Sequence, residues 1–543
     1  MDTSFSDEHA RNAINRDSAT NLDDPCSFSK KDDKSIKWDV IIAGSGPIAC
    51  AYARTILERN ATAKVLMVEI GSQDSPVIGE HLKNSVKYQK DLDAFVNVVA
   101  GALQRVSVPV AASGVIRGTN PKQMEELNLG ASAVTRMVGG MATHWTCACP
   151  TPHPDETVKN PIGDEELYKL LDRARKFLNV NSDQYDEKIP HELVKSTVTT
   201  ALKEHYGLLK EPPTAVAIPL AVQRRDDNPS WVTWSGANTV LGAAVNSDYF
   251  RLRTETRVTN VEINGDEVTG VSLNYLNGPD CEVSVKARHP IKISLSPDIT
   301  NGIQSHPLWP QWKPRVDAHH ERYPDDKLDI PFDEPDPQVM IPYTRDFPFH
   351  CQVHRDAFAY GGVGQRTDPR LAVDLRFFSR QELNKESRVE FSPLPLPVES
   401  TPQLGPPYPW VPGVTDVYGM PQATFYVKPS KKDVEEAQRR AISFTIHKSL
   451  NLYDISNRML AAMTLIAPYL GKYILGSTPM IMGTTRIGHV GEEETSVADP
   501  NSKVHHFKNL WVGGTGCIPD STACNPTLTA VSAFLLLFRL NLE

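Results

Sequence analysis

A glycine-rich turn between two apolar runs is the first place where residue types and spacing point to a chemistry. The segment "GSGPIA" (44–49) directly follows the apolar run 38–43, which predicts a strand buried on both faces. A helical pattern continues to residue 60, and a second apolar strand, "AKVLMVEIG" (63–71), ends near Glu69. A strand, glycine turn, helix, strand and acid in this order predict a βαβ unit that binds a dinucleotide.

Each residue type in this unit suits one part of such a ligand. Gly44 allows the tight turn, Gly46 lets the backbone approach a pyrophosphate, and Ala49 permits close packing of helix on strand. The N-terminal end of the helix favours the phosphate charge. Glu69 would accept hydrogen bonds from a ribose diol. The alternative is a turn of the same shape that binds no nucleotide.

A second segment, "VGGMATHWTCACP" (138–150), places a titratable ring among small and apolar residues. His144 follows the glycine pair Gly139 and Gly140, which would let a planar ligand approach the backbone. The alternative interpretation is a core histidine whose hydrogen bonds are satisfied within the protein.

Four blocks together resemble one family. They are "GGMATHW" (139–145), "HRDAFAYGGV" (354–363), "VDLRFFSR" (373–380) and "NLWVGGTGCIPDSTACNPTLTAVSAF" (509–534). The chain resembles the fungal pyranose 2-oxidases, a branch of the glucose–methanol–choline (GMC) oxidoreductases, over most of its length. The resemblance implies an α/β fold in which a Rossmann-type FAD-binding domain is interleaved with an α+β substrate domain. It also implies FAD rather than NAD(P), which the N-terminal position of the βαβ unit favours as well.

The resemblance assigns flavin contacts to the second segment. It implies that His144 is bonded covalently to the flavin 8α-methyl group, with Gly139 and Gly140 beside the ring system. Thr146 matches the threonine that faces the flavin N5 position.

The C-terminal block carries further contacts implied by the resemblance. Its first residues, 509–512, predict a strand that runs into Gly513 and Gly514, where Gly514 approaches the flavin. Asn525, Pro526 and Thr527 open the last helix, whose N-terminal end would face the pyrimidine edge and stabilise negative charge there. Asn525 also matches the asparagine of the His/Asn pair that handles the substrate hydroxyl.

The blocks 354–363 and 373–380 correspond to the substrate loop and the strand behind it. Amide, carboxylate and guanidinium groups suit sugar hydroxyls, and aromatic faces suit the apolar side of a pyranose. By this match the substrate-binding residues are Gln352, Asp356, Phe358, Tyr360 and Arg376. Without the resemblance, the same pattern is an ordinary polar loop.

The chain departs from the family at the expected catalytic base. In "STPMIMGTTRIGHV" (477–490) the position of the family's base histidine is Met480, whose thioether takes no proton at neutral pH. Thr485 occupies a second position that is commonly histidine, and it orients a hydroxyl better than it deprotonates one. His489 is a substitute base by sequence proximity, unless it faces solvent. Oxidation of an ordinary sugar should therefore be slow, unless its hydroxyl is already acidic.

A second departure concerns the FAD-binding sheet. After residue 285 the family has a buried strand of the "LTAGAV" kind and a helix, whereas this chain enters a proline-rich loop. Either the gene model lost an exon or the fold tolerates the loss. The segment "IKISLSP" (291–297) is a candidate to replace that strand.

Composition narrows the function classes. The 543 residues exceed what one core supports, and 40% hydrophobic with 23% charged residues is typical of soluble proteins. A net charge of -9 argues against a nucleic-acid partner, and no apolar run is long enough to predict a membrane span. The first 35 residues show no secretory signal, so we expect an intracellular, cytoplasmic protein. The Cys147-x-Cys149 pair lacks a second metal-spaced cluster, so no metal is predicted.

We predict the following division of the chain. Residues 1–35 form a disordered leader; 36–150, 225–300 and 476–543 form the FAD-binding domain; 151–224 and 301–475 form the substrate domain.

The predicted function is FAD-dependent oxidation of a secondary alcohol of a pyranose or a sugar-derived compound. The resemblance implies oxygen or a quinone as electron acceptor and a homo-oligomer, and the altered base suits a fungal biosynthetic pathway such as kojic acid formation. Two rivals stay open. One is an alcohol oxidoreductase for a non-sugar metabolite, and the other is a catalytically impaired flavin-binding relative that lacks the base histidine at Met480.

Overall fold

The computed structural model describes most of the chain outside the first 37 residues. The described residues are 38–73, 75–85, 95, 103–105, 133–276, 293–294, 303–354, 368, 370, 372–382, 384, 386–392, 420–426, 430–433, 482, 484–489 and 491–534. Four residues of the predicted site lie outside them, namely Asp356, Phe358, Tyr360 and Met480.

The described residues form sixteen strands and six α-helices. The strands are β1 Val40–Ala43, β2 Val65–Val68, β3 Leu103–Arg105, β4 Ala133–Thr135, β5 Val216–Ala217, β6 Val222–Arg224, β7 Val232–Trp234, β8 Phe250–Arg253, β9 Thr256–Asn264, β10 Glu267–Tyr275, β11 Ile293–Ser294, β12 Gln338–Ile341, β13 Phe349–His354, β14 Ala372–Ser379, β15 Arg388–Phe391 and β16 Ala423–Tyr426. The helices are α1 Pro47–Arg59, α2 Asp164–Leu178, α3 Ile189–Tyr206, α4 Ala237–Leu241, α5 Trp309–Arg322 and α6 Thr527–Phe534. Short 3-10 turns include Gly140–Thr143, Pro154–Glu156 and Thr515–Cys517.

A parallel sheet in the order β1–β2–β8 forms the N-terminal unit. All four residues of the central strand β2 are buried, as expected for a strand covered on both faces. Helix α1 begins after Gly46 with Pro47 in its first turn, where the missing N–H of proline costs nothing. The predicted βαβ unit is confirmed.

Strand β1 departs from the prediction of burial on both faces. Ile42 is buried, but Ile41 is 36% exposed and Ala43 is exposed. The reason is its position: β1 pairs with β2 on one side, and none of the described strands pairs with its other side.

The segment proposed to complete this sheet lies elsewhere. Ile293 and Ser294 of β11 pair antiparallel with Val373 and Ala372 of β14. That pairing closes an edge of the second sheet, so the prediction that "IKISLSP" joins the FAD-binding sheet is wrong.

The second sheet has the order β11–β14–β13–β12–β5, with antiparallel neighbours. All six residues of β13 are buried. Phe349, Cys351 and Val353 join an apolar cluster that includes residues of α3. Because side chains alternate along a strand, His350, Gln352 and His354 lie on the opposite face. One face of β13 is therefore apolar and the other is polar, and both are buried.

Two further elements bear on the sequence predictions. Strands β9 and β10 form an antiparallel hairpin after β8, where the sequence predicts strands. Residues 509–512, predicted as a strand, form only one isolated bridge, between Trp511 and Lys503. The backbone around this bridge pairs with residues 502–504, since the Val504 N–H donates to the Leu510 carbonyl and the Val512 N–H donates to the Ser502 carbonyl. The Tyr52 hydroxyl also donates to the Val512 carbonyl. No helix in the described part of the chain is long and apolar enough to span a bilayer.

Candidate active site

The glycine turn leaves open space at the N-terminal end of α1. Gly44 has a positive φ of 95°, and its N–H donates to the Val68 carbonyl at 2.7 Å. A Cβ atom placed on Gly44 or on Gly46 would meet no other atom within 4 Å. No side chain caps the helix at Gly46, while Ala49 packs partly buried against the core. The first turn of a helix leaves backbone N–H groups without an intrahelical partner, so this uncapped end of α1 can bind an anion.

The Glu69 carboxylate already accepts hydrogen bonds from neighbouring residues of the protein. Its Oε2 accepts hydrogen bonds from the Ser45 N–H at 3.0 Å and from the Ser45 hydroxyl at 2.6 Å. Its Oε1 accepts from the Gly71 N–H at 2.8 Å. A carboxylate has about four acceptor positions, so one more donor can still be accommodated. Glu69, which directly follows β2, thus holds the glycine turn in place through these hydrogen bonds.

Ser45, which the sequence motif does not single out, links two predicted segments. Its Oγ accepts a hydrogen bond from the Gly139 N–H at 3.0 Å while its hydroxyl donates to Glu69. A Cβ atom on Gly140 would lie 3.4 Å from the Gly46 Cα. The segment 138–150 therefore packs directly beside the glycine turn 44–46.

Gly139 has a steric reason to be glycine. Its φ is 98°, in the left-handed region, and a Cβ atom there would lie only 2.8 Å from the Gly79 Cα. Any larger residue would push apart the backbone that leads to His144.

His144 is fully buried at the end of the 3-10 turn Gly140–Thr143. Its Nε2 lies 2.7 Å from the Thr135 hydroxyl, at hydrogen-bond distance. Burial lowers the pKa of His144 to about 4, so the ring is neutral at physiological pH. A neutral imidazole retains a nucleophilic nitrogen lone pair. Thr146, two residues further on, is partly buried.

Asn525 and Gln352 meet where the C-terminal helix reaches the second sheet. The Gln352 side-chain amide donates to Asn525 Oδ1 at 2.6 Å. Both side chains are buried, and Pro526 and Thr527 continue directly into α6. The Gln352 Oε1 atom has no hydrogen-bond partner among the described residues, so it is available to a hydroxyl donor.

His350 is the third residue of this hydrogen-bonded group, after Gln352 and Asn525. Its Nε2 lies 2.9 Å from the Gln352 amide nitrogen, which can only donate, so His350 Nε2 accepts and its hydrogen resides on Nδ1. Burial, with a smaller contribution from His354, lowers the pKa of His350 to about 3. Sequence reasoning missed His350, although its alternation with Gln352 on a buried strand was a usable signal. Arg376 stands directly opposite Gln352 in the β13–β14 register.

His489, predicted as a substitute base, does not have the burial expected of one. His489 is exposed in a surface turn where its backbone N–H donates to Glu492 at 2.9 Å. Its ring therefore faces solvent, the alternative to the predicted base role. Thr485 is partly buried, and its N–H donates to the Gly516 carbonyl at 3.0 Å. A Cβ atom on Gly514, close by in this turn, would meet open space.

One cluster of two acidic residues and a histidine has the residue types of a metal site. Possible ligand atoms of Asp186, His191 and Glu192 lie within 4.8 Å of one another. The Lys195 ammonium lies 2.7 Å from Glu192 and 3.6 Å from Asp186, so a cation already neutralises the carboxylates. His191 Nδ1 accepts from the Gln338 N–H, which leaves the ring hydrogen on Nε2 and removes that lone pair.

Comparison with known proteins agrees with this geometry. The family model for GMC oxidoreductase matches residues 467–533. A pyranose 2-oxidase from Tricholoma matsutake is 45% identical, with 91% of this chain and 92% of that protein covered. A C-glycoside 3-oxidase from Microbacterium trichothecenolyticum is 28% identical, with 91% and 94% covered. The crystal structure of pyridoxine 4-oxidase from Mesorbium loti superposes with a TM-score of 0.52 at 14% identity, covering 93% of this chain and 99% of that one.

The alignment with the Tricholoma protein also contains a gap in this chain. It runs over 556 positions, whereas 91% of 543 residues is about 494 residues. About 62 aligned positions of the relative therefore have no counterpart in this chain. The remaining identity extends over nearly the whole length of both proteins. The chain belongs to the pyranose 2-oxidase branch of the GMC oxidoreductases, a family of α/β flavoenzymes.

Proposed function

We propose that the protein oxidises a secondary ring alcohol of a pyranose, or of a compound derived from one, with FAD as the hydride acceptor. The observation that carries this proposal is the hydrogen bond between Gln352 and Asn525. It brings the sheet that would bind a sugar to the N-terminal end of α6, where the flavin is expected. Bound FAD would supply the N5 atom that receives the hydride.

The residues present fit FAD at the two glycine turns. A Cβ atom added to Gly44, Gly46 or Gly514 would meet no other atom within 4 Å, so a ligand can approach the backbone there. The N-terminal end of α1 would hold the pyrophosphate, and Glu69 has acceptor capacity left for a ribose hydroxyl. Covalent attachment through His144 belongs to this proposal, supported by its neutral, buried imidazole next to the nucleotide turn.

The described polar residues orient the substrate hydroxyl rather than deprotonate it. Asn525 and the free Gln352 Oε1 can bind a hydroxyl group, but neither amide is a base at neutral pH. His350 is already bonded to Gln352, and its low pKa makes it a weak base. We therefore expect a substrate whose hydroxyl is acidified by a neighbouring carbonyl to react faster than a simple sugar. A sugar-derived intermediate on a route to a pyranone such as kojic acid has this property.

Three predictions from the sequence complete the proposal. Oxygen or a quinone would reoxidise the flavin, the protein would assemble as a homo-oligomer, and it would act in the cytoplasm. The C-glycoside 3-oxidase relative supports a substrate class that extends beyond simple hexoses.

A visible spectrum of the purified protein tests the central claim. The holoprotein should be yellow, and anaerobic addition of D-glucose or an oxidised sugar should bleach it. Yellow protein that no sugar bleaches, but that a non-sugar alcohol does, would support the first rival function. A protein that binds flavin but reacts with no alcohol would support an impaired relative.

Acid precipitation tests the attachment. Flavin colour should stay with the wild-type precipitate and move to the supernatant in His144→Ala. His81→Asn is a matched control, because His81 is another buried histidine, bonded to the Trp145 carbonyl. Colour retained by His144→Ala would refute attachment at this ring.

A further inference from the structure

A buried carboxylate outside the predicted site contacts the loop that leads to Asn525. Glu156 ends the 3-10 turn Pro154–Glu156 and is 1% exposed. Its Oε1 accepts a hydrogen bond from the Ala523 N–H, two residues before Asn525. These partners are 367 positions apart in the chain, so the contact joins two distant segments.

This loop needs such a partner because it is irregular and buried. Residues 522–526 are all buried without belonging to a helix or strand. A buried backbone N–H outside regular structure must find an acceptor, or it loses the free energy of its contact with water. The Glu156 carboxylate meets this need for Ala523 at the point where the chain turns towards α6.

The other carboxylate oxygen of Glu156 accepts a hydrogen bond that holds the Glu156 side chain in place. Glu156 Oε2 accepts from the His153 N–H at 2.8 Å, and the His153 ring accepts from the Asp155 N–H at 3.2 Å. This reciprocal capping box leaves the side chain little rotational freedom. The position of the Ala523 N–H is therefore set by a rigid turn.

The start of the same loop is held from the second sheet. Arg380, directly after β14, donates to the Ser521 carbonyl at 3.3 Å and to the Asp155 carbonyl at 2.8 Å. The Lys159 N–H donates to Asp520 Oδ2 at 2.9 Å. The loop is thus bound both to the segment 155–159 and to the sheet that carries Gln352.

We propose that Glu156 is a positioning residue, which sets the placement of Asn525 against Gln352 by binding the Ala523 N–H. This role rests on the proposed function insofar as Asn525 orients the substrate hydroxyl. Glu156 itself touches neither substrate nor cofactor. Its effect should appear in the reaction rate more than in sugar binding, because a hydroxyl bound slightly out of place still binds.

The test compares three variants of the holoenzyme. Glu156→Ala removes both hydrogen bonds, and Glu156→Gln keeps one acceptor oxygen at the same size. Asp155→Asn is the matched control, because the neighbouring Asp155 side chain points to Arg345 and is partly exposed. Hydrogen exchange by mass spectrometry on peptides covering 519–527 reports the loop, and stopped-flow flavin reduction by D-glucose reports the reaction.

We expect Glu156→Ala to speed exchange in that peptide at least about tenfold, while peptides of β1 and β2 are unchanged. Flavin reduction should slow about 10- to 100-fold, with the sugar dissociation constant changed less than about threefold. Glu156→Gln should lie between Glu156→Ala and the wild type, and Asp155→Asn should match the wild type.

Two results would overturn the inference. One is wild-type exchange and reduction rates in Glu156→Ala. The other is faster exchange throughout the protein with sugar affinity lost in proportion to rate, which would show a general structural role. If no sugar bleaches even the wild-type flavin, the proposed function fails instead. The exchange data and the flavin midpoint potential, which α6 should influence, then still test whether Glu156 positions the loop.

Discussion

The Gln352 amide donates a 2.6 Å hydrogen bond to Asn525 although 173 positions separate them in the chain. The same amide nitrogen lies 2.9 Å from His350 Nε2. One side chain on β13 therefore connects the polar face of the second sheet to the start of α6. The face opposite is packed with apolar residues, so the amide cannot shift without disturbing a core.

Replacing Gln352 by Leu should damage both stability and rate. The change leaves Asn525 Oδ1 and His350 Nε2 buried without their donor, at a cost of about 1–3 kcal/mol each in unfolding free energy. We expect flavin reduction by sugar to slow about 100-fold because the hydroxyl loses its positioning group. Urea unfolding and stopped-flow absorbance measure the two effects. Gln223→Leu is the control, since Gln223 is exposed, and equal rates in both variants would contradict this role.

Ser45→Ala should loosen the nucleotide turn. It leaves the Gly139 N–H without its acceptor and removes a donor from Glu69, so the unfolding free energy should fall by about 2–4 kcal/mol. The segment that carries His144 should lose its register against the turn, and flavin content after purification should fall. Ser247→Ala, at an exposed turn, should change stability by less than about 0.5 kcal/mol. Full flavin content in Ser45→Ala would show that this link is dispensable.

As the pH falls, the unfolding free energy of the flavin-free protein should begin to decrease before the pH reaches the range in which carboxylates titrate. Burial lowers the pKa values of four histidines from 6.5 to about 3 or 4, namely His81, His144, His191 and His350. The unfolded chain binds protons at these rings below pH 6.5 while the folded protein does not. The unfolding free energy that these neutral rings contribute is thus fully present above pH 6.5. It is lost as the pH falls towards 4, by up to about 1.4 kcal/mol per pH unit for each ring. Glu156 and Asp520, whose pKa values burial raises, act in the opposite direction but are fewer. Unfolding free energies that stay constant from pH 7 to pH 5 would contradict this assignment.

Ile41→Lys should reduce self-association. Ile41 is 36% exposed on β1, one edge of which pairs with none of the described strands, and an apolar strand with such an edge favours pairing with another chain. A lysine there should lower light scattering at high protein concentration while changing the melting temperature little. Leu208→Lys is the control, because it removes an exposed apolar side chain from the turn after α3, outside any strand. An equal reduction in both variants would indicate general surface hydrophobicity instead.

Local motifs make part of this structure predictable. The β1–α1–β2 unit follows from an apolar run, a glycine turn and a helical period, all within 30 residues of chain. The packing of the His144 segment on this turn does not follow from the glycine motifs, because Ser45, which links the two, occupies the variable position of the motif and gives no signal. Glu156 is equally invisible in the sequence, because its partner is a backbone N–H far along the chain.

The failed predictions share one cause. The pattern of residues 291–297 predicts a replacement strand for the FAD-binding sheet, and that of residues 509–512 predicts a strand, but a strand needs a neighbour with free N–H and C=O groups. The first segment finds that neighbour in β14, and the second pairs with residues 502–504 through one isolated bridge. Strand pairing depends on which partners the whole chain provides, which periodicity along a short segment does not report.

The edge of β1 that pairs with none of the described strands bears on how the cofactor and the fold depend on each other. Within the described residues the turn after β1 follows a strand with one neighbour, so it gains less from its sheet than a turn after a strand paired on both sides, and ligand contacts form a larger share of what orders it. Saturation with FAD should then raise the melting temperature of this lobe markedly, since a ligand that binds only the folded state stabilises it in proportion to the logarithm of its concentration. In this protein the flavin would stabilise the lobe that binds it, in addition to serving as the redox group.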